Sequence, residues 1–150
     1  MLFCFMLSFV TACGDDADET QNNIQNHDIQ STATIDYLCS STFWQYLPDE
    51  GIKTGEIYET FSFLRISGKT SCTITKEKHG EDIGKSTIIN KTVYSFTYNA
   101  PIVTLTDEAG NTKRTLTVYK LSRDEKNYPS DKWLLIDGKK YMGWFGGVNF

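Results

Sequence analysis

Histidine is scarce in this chain, and the shortage argues against several kinds of catalytic site. His27 and His79 are the two histidines among 150 residues. A Ser-His-Asp or Cys-His device needs a histidine held within hydrogen-bond reach of its nucleophile, and zinc and calcium sites need ligands at a defined spacing. Neither pattern occurs, so the sequence predicts a protein that is not an enzyme and has no metal or cofactor.

Lysine and arginine are absent before Lys53, although the chain contains 15 of them and has a net charge of −4. The basic residues beyond that point are too diffuse for a nucleic-acid-binding stripe, so no nucleic-acid partner is expected. The paired acids Asp107-Glu108 and Asp124-Glu125 lie side by side in predicted loops. Glycosidases need two carboxylates that face each other across a cleft, and adjacent loop acids do not provide them.

Long apolar runs are also missing, but a short one occupies residues 1–10 and is followed by Thr11-Ala12-Cys13. A short apolar segment that ends on small residues is typical of a secretory signal and is too short for a membrane span. Cys13, directly behind those small residues, resembles the cysteine of the lipobox in bacterial lipoproteins. The resemblance implies that residues 1–12 are a lipoprotein signal peptide and that Cys13 is acylated. The alternative is an ordinary signal peptide, with Cys13 lost or free.

Residues 14–33 are rich in Asp, Gln, Asn, Ser and Thr, and their large apolar residues are Ile24 and Ile29. This composition does not bury enough surface to fold, so residues 13–33 are predicted to be a lipidated cysteine and a flexible acidic tether. The acids close behind Cys13 resemble the signal that exports lipoproteins to the cell surface in one group of Gram-negative anaerobes. We therefore expect a lipid-anchored outer-membrane protein at the cell surface, with the periplasmic leaflet as the alternative location.

Residues 34–150 are predicted to form one all-β domain. Thr34 is suited to cap a short helix that precedes the first strand, and alternation of apolar and polar residues follows from Phe43 onward. The predicted strands cover residues 43–47, 57–66, 71–76, 87–98, 102–106, 113–121, 133–136 and 141–145. Short links predict an antiparallel meander, and eight strands is a number at which such a sheet closes into a small barrel and removes its edges.

Several segments of this domain resemble the lipocalin-like lipoproteins of Gram-negative bacteria over residues 34–145. The resemblance is carried by Trp44, Phe61-Ser62-Phe63, Gly68-Lys69, Tyr94-Ser95-Phe96-Thr97-Tyr98, Val103-Thr104-Leu105-Thr106-Asp107 and Gly110-Asn111. It implies a barrel whose mouth or lumen can hold a small apolar ligand.

Aromatic side chains are the strongest candidates for a binding role. The residues expected to line a lumen are Trp44, Phe61, Phe63, Tyr94, Phe96 and Tyr98. Tyrosine hydroxyls would then fix the polar end of a ligand. The alternative is that these side chains fill the barrel, because eight strands leave an interior just wide enough for side chains or for one small ligand.

Two functions follow from these alternatives, and neither involves catalysis. A hollow barrel predicts binding of a small apolar or amphipathic ligand in the cell envelope. A filled barrel predicts a surface module that recognises a protein or a glycan, for example as an inhibitor, with Trp144 and Phe145 as candidate residues on the rim.

Cys39 and Cys72 are the cysteines that follow Cys13. In an oxidising compartment such a pair is a candidate disulfide. The alternative is two separately buried thiols, because free cysteine behaves as a small hydrophobic residue.

Acylation of Cys13 can be checked directly on protein extracted from its native membranes. We expect intact-mass and peptide analysis to find residues 1–12 removed and fatty acyl groups on Cys13, because the small residues before this cysteine provide the cleavage site. A Cys13→Ser variant should lose the acyl mass. An unmodified thiol at position 13 in the wild-type protein would contradict the prediction.

Overall fold

The computed structural model describes residues 29–82, 85–122 and 131–145. The predictions for the signal peptide, for Cys13 and for most of the tether lie outside these residues. The elements in chain order are β1 Ile29–Thr32, α1 Ile35–Leu38, β2 Phe43–Tyr46, β3 Ile57–Ile66, β4 Lys69–His79, β5 Ser86–Asn99, β6 Ile102–Thr106, β7 Thr112–Ser122, β8 Lys132–Ile136 and β9 Lys139–Trp144.

Strands β2 to β9 form a closed antiparallel barrel. Each of them pairs with its neighbours in the order β7-β6-β5-β4-β3-β2-β9-β8, and a further pairing of β7 with β8 closes the ring. The predicted all-β fold with eight antiparallel strands in a closed barrel is therefore confirmed. β1 is an additional strand that pairs antiparallel with the end of β7, from Ile29 opposite Ser122 to Thr32 opposite Tyr119.

Two of the hairpins are fixed by turns that the sequence indicates. Ser67-Gly68 joins β3 to β4, Asp137-Gly138 joins β8 to β9, and all four residues have positive φ angles. Two successive positive φ angles define the type I′ turn, whose twist matches that of the flanking strands. Glycine in the second position supplies one of these angles without steric cost.

The N-terminal border of the domain differs from the prediction. β1 occupies residues that composition assigned to the tether, because its polar residues pair through backbone groups and need no apolar side chains. The predicted helix is present as the single turn Ile35–Leu38, and the Thr34 hydroxyl accepts a hydrogen bond from the Tyr37 amide at 3.1 Å. It follows β1, however, so the prediction of a helix before the first strand is wrong in its order.

The core lies inside the barrel and is built from the inward side of every barrel strand. Its fully buried large residues are Leu38, Trp44, Phe61, Phe63, Cys72, Val103, Leu105, Leu116, Val118, Leu134 and Ile136. Alternation explains the selection: Phe61 and Phe63 are buried, whereas Ser62 and Leu64 between and beside them are not. The same period of two runs through Leu116 and Val118 on β7.

Removing the largest of these side chains, Trp44, should destabilise the domain substantially. We expect Trp44→Ala to lower the free energy of unfolding by about 3–5 kcal/mol, because it leaves a cavity and removes apolar contacts. The matched variant Trp144→Ala, at a residue on the outer surface, should cost less than about 1 kcal/mol. Urea denaturation followed by linear extrapolation measures both. Equal losses would contradict a core role for Trp44.

Candidate functional site

The aromatic residues predicted to line a lumen pack against one another inside the barrel. The Phe61 and Phe63 rings stack with centroids 6.2 Å apart. Phe96 meets Phe63 edge-on at 5.5 Å, and Tyr141 meets Phe61 edge-on at 5.3 Å. Such offset and edge-to-face contacts are the preferred geometry of aromatic pairs. These rings therefore occupy the interior that a ligand would otherwise fill.

The polar atoms of the remaining candidates are used within the fold. The Trp44 indole donates to the Leu38 carbonyl at 2.8 Å, and the Tyr98 hydroxyl donates to the Ala33 carbonyl at 2.7 Å. Tyr94 is half-buried and packs against the core. These contacts hold α1 across one end of the barrel, which we call the capped end.

The opposite end, which we call the open mouth, carries a small polar pocket. Its lining residues are Tyr46, Glu56, Ile57, Tyr58, Glu59, Lys76, Lys139 and Tyr141, and its volume is about 90 Å³. The Tyr46 ring lies 6.2 Å from the Tyr58 ring and 5.8 Å from the Tyr141 ring, measured between centroids. Three phenol rings, two carboxylates and two ammonium groups thus surround one opening.

An ion-pair network forms the floor of the open mouth. Arg114 Nη1 donates to both carboxylate oxygens of Glu59 at 3.0 and 2.9 Å, and Arg114 Nη2 lies 3.6 Å from Asp137 Oδ2. The guanidinium carbon lies 5.8 Å from the centroid of the buried Phe61 ring. Both side chains are partly exposed. The two hydrogen bonds from Arg114 hold the Glu59 carboxylate between the core and the pocket.

The tyrosines of the pocket are held in their neutral form. Burial raises the pKa of Tyr141, and the negative charge of Glu59 raises it further. Burial also raises the pKa of Tyr46, with additional contributions from Glu56 and Glu50. A neutral phenol both donates and accepts a hydrogen bond. Tyr46 and Tyr141 therefore keep their hydroxyl protons to a higher pH than a free tyrosine does.

The two predicted rim residues lie at the capped end, away from this pocket. Trp144 is partly exposed and stacks on Phe43, with the ring centroids 6.3 Å apart. Phe145 is exposed, and the Lys132 ammonium lies 4.9 Å from the centroid of its ring. They share a surface with each other but not with the open mouth.

The candidate disulfide between Cys39 and Cys72 is not formed; both are free thiols. Cys72 is fully buried within the barrel on β4, whereas Cys39 is the C-cap of α1 and is partly exposed. Burial raises the pKa of Cys72 to about 12 and also raises that of Cys39. The structure therefore corresponds to the alternative in which each thiol is accommodated separately.

Sequence reasoning missed the residues of the open mouth. Glu59 lies two residues before the buried Phe61, and Arg114 lies two residues before the buried Leu116. These spacings put both charged side chains on the inward-facing side of their strands. Burying an unpaired charge costs free energy, so such a residue is expected near an end of the barrel and paired with an opposite charge. A charged residue at an inward-facing strand position is therefore the sequence feature that indicates this site.

No protein-family model, curated protein or solved structure matches the chain. In the described residues no helix has the length and apolar character to span a membrane. Within the same part of the chain, His, Cys, Asp and Glu side chains form no cluster of three that could hold a metal ion.

The state of the thiols can be tested by alkylation. We expect iodoacetamide at pH 8 to modify Cys72 only after unfolding, because the reagent needs an accessible thiolate and burial keeps this thiol protonated. Cys39, which is partly exposed, should react faster and serves as the internal comparison. Mass spectrometry without reductant decides the outcome, and a mass deficit of two hydrogens that links the two peptides would contradict the prediction.

Proposed function

We propose that this protein is a non-catalytic cell-envelope lipoprotein whose filled barrel presents its open mouth to a glycan. The observation that carries the proposal is the contrast between the two regions. Aromatic and aliphatic side chains occupy the interior, whereas tyrosine rings, carboxylates and ammonium groups are concentrated around a pocket at one end. This contrast supports recognition at the surface rather than in a lumen.

The size of the pocket supports recognition of part of a larger ligand. Its volume of about 90 Å³ corresponds to about three water molecules at ~30 Å³ each. Sites that enclose a whole small molecule are usually about 300–1,000 Å³. One polar edge of a sugar ring enters such an opening, while the rest of the glycan lies on the surrounding surface.

The chemistry of the lining favours a glycan over a protein partner. The flat Tyr46 ring, which is partly exposed, offers a face for the C–H groups of a sugar and a hydroxyl for a polar contact. The buried Tyr58 ring supports it from beneath, because the Tyr58 hydroxyl is already bonded to Glu77. Glu56 and Glu59 accept hydrogen bonds from sugar hydroxyls, and Lys139 donates them; bonds to charged groups are among the stronger ones. The buried centre of a protein interface contains few charged residues, whereas four of the eight residues that line this pocket are Glu or Lys.

The course of the chain supports a position of the open mouth away from the membrane. Ile29 begins β1 opposite Ser122, at the C-terminal end of β7. Leu121, its neighbour, pairs with Trp133, whose backbone contacts the Tyr37 hydroxyl of α1. The chain from Cys13 therefore joins the domain at the capped end. An acyl anchor there leaves the open mouth directed outward.

The likeness to lipocalin-like lipoproteins is part of the same proposal. A closed barrel of eight antiparallel strands agrees with that family, and one helical turn closes an end of it. The acidic residues behind Cys13 support a location at the cell surface as part of this proposal. The periplasmic leaflet is the alternative that the same sequence allows.

The proposal can be tested by probing an array of bacterial and host glycans with the full-length protein. We expect a subset of glycans to bind and Tyr46→Ala to reduce their signal at least tenfold. The variant removes the ring that packs against both Tyr58 and Tyr141 in the pocket. Phe145→Ala, at the capped end, is the matched control and should bind as the wild type does.

Native mass spectrometry of the same sample distinguishes the other possibilities. From a filled interior we expect the mass of the acylated protein with no additional, non-covalently bound lipid. A lipid that co-purifies in the barrel, or glycan signals equally reduced by both variants, would contradict the assignment to the open mouth.

A further inference from the structure

The capped end carries a group of exposed apolar residues that the open mouth does not explain. We call this group the apolar rim: Phe43, Leu64, Ile66, Trp144 and Phe145. Four of them are exposed at fractions between 39% and 60%, and Phe43 is half-buried beneath Trp144. Contiguous exposed apolar side chains on a small protein usually mark a contact surface.

The members of the apolar rim lie on adjacent strands and on the same, outward face of the sheet. Phe43 on β2 pairs with Trp144 on β9. On the other side of β2, Ser62 of β3 donates to the Thr42 carbonyl at 2.8 Å. Leu64 and Ile66 follow Ser62 with a period of two and therefore share its face.

A shallow groove extends the apolar rim around the β3–β4 hairpin. Its volume is about 300 Å³, and it is lined by Leu64, Ile66, Ser67, Lys69, Thr70 and Ser71. Leu64 and Ile66 provide its apolar side, and Lys69 lies directly opposite Ile66 in the hairpin. The groove thus combines apolar surface with a positive charge at its border.

Basic residues lie at the same end of the barrel as the apolar rim. The cations at this end are Arg65, Lys69, Lys120 and Lys132, and the described carboxylates there are Asp36 and Asp131. Asp36 is bound to Arg65. Lys132 lies over the rings of both Phe145 and Tyr37, and Lys120 also lies over Tyr37. An excess of positive charge therefore borders the exposed rings.

We infer that the apolar rim docks on the surface of a lipid bilayer that contains anionic lipids. Aromatic and apolar side chains partition into the interfacial region of a membrane, and lysines beside them attract anionic headgroups. The same end receives the chain from Cys13, so the inference extends the proposed lipid anchor and rests on it for orientation. The anchor limits the distance between the domain and the membrane, whereas docking of the apolar rim fixes the direction in which the open mouth points.

The three tryptophans make this contact measurable in the full-length protein. Trp44 and Trp133 are 0% and 3% exposed, whereas Trp144 is 39% exposed. The protein purified from its membranes is placed on vesicles of phosphatidylethanolamine and phosphatidylglycerol that contain lipid brominated near the headgroup. We expect bromine to quench the Trp144 emission and the bilayer to protect this ring from aqueous acrylamide.

Two variants assign the signal to the apolar rim. Trp144→Phe preserves an aromatic ring on Phe43 and should lose the quenching by brominated lipid. Trp144→Phe combined with Ile88→Trp moves the reporter to an exposed position on β5, where quenching should be absent. Equal quenching from position 88, or none in the wild type, would overturn the inference.

The basic border is tested by charge reversal. Lys69→Glu with Lys132→Glu should lower the quenched fraction, whereas Lys78→Glu with Lys91→Glu makes the same change in net charge elsewhere and should not. High salt should also weaken the contact, because the Debye length falls from about 10 Å at 0.1 M to about 3 Å at 1 M. Equal effects of the two charge pairs would contradict a specific basic border.

Failure of the anchor and failure of docking have different signatures. Absence of acyl mass on Cys13 refutes the proposed lipoprotein, and Trp144 quenching on added vesicles then still decides whether the apolar rim docks. An acylated protein whose Trp144 stays accessible to acrylamide on the vesicles refutes docking and leaves the anchor in place.

Discussion

Closure of the sheet between β7 and β8 is the interaction on which the rest of the structure depends. Four residue pairs, from Val118–Ile136 to Leu121–Trp133, join the two strands. Without this ladder both strands would be edges, with unpaired backbone groups. Their inward side chains, Leu116 and Leu134 among them, would also face water instead of the aromatic residues on the opposite wall.

Because the wall of the barrel is closed by strand pairing, its two ends are where other structures can be built. The two ends differ in this protein. At the capped end, hydrogen bonds from Trp44 and Tyr98 hold the segment around α1. At the open mouth, the pairing of Arg114 with Glu59 covers Phe61 with charged groups that still reach solvent. One end is therefore closed by backbone and apolar side chains, and the other presents polar chemistry.

The sequence predicts the strands because each has a period of two and is bounded by turn residues. All eight predicted strands are present with borders shifted by a few residues, as in β4, which continues to His79. β1 was missed because its polar sequence carries no such period; its place depends on backbone pairing with β7. The sequence did not decide between a hollow and a filled interior. Filling depends on how rings from several strands pack together, and alternation along one strand does not describe that packing. Glu59 and Arg114 meet across 55 residues of sequence, which local patterns cannot relate.

Exposure alone does not identify a contact surface in this protein, and β5 shows why. Ile88, Ile89 and Val93 are more than half exposed, and among the described strands only β4 pairs with this part of β5. A register shift beside Ile89 and the exposed Lys91 interrupt that edge, and bulges and edge lysines are features that discourage pairing between sheets. The apolar rim differs from that edge: Trp144 stacks on Phe43, the members lie on three adjacent strands, and a lysine lies over the Phe145 ring. This combination, at the end where the chain arrives from Cys13, distinguishes a membrane-facing surface from scattered exposed side chains.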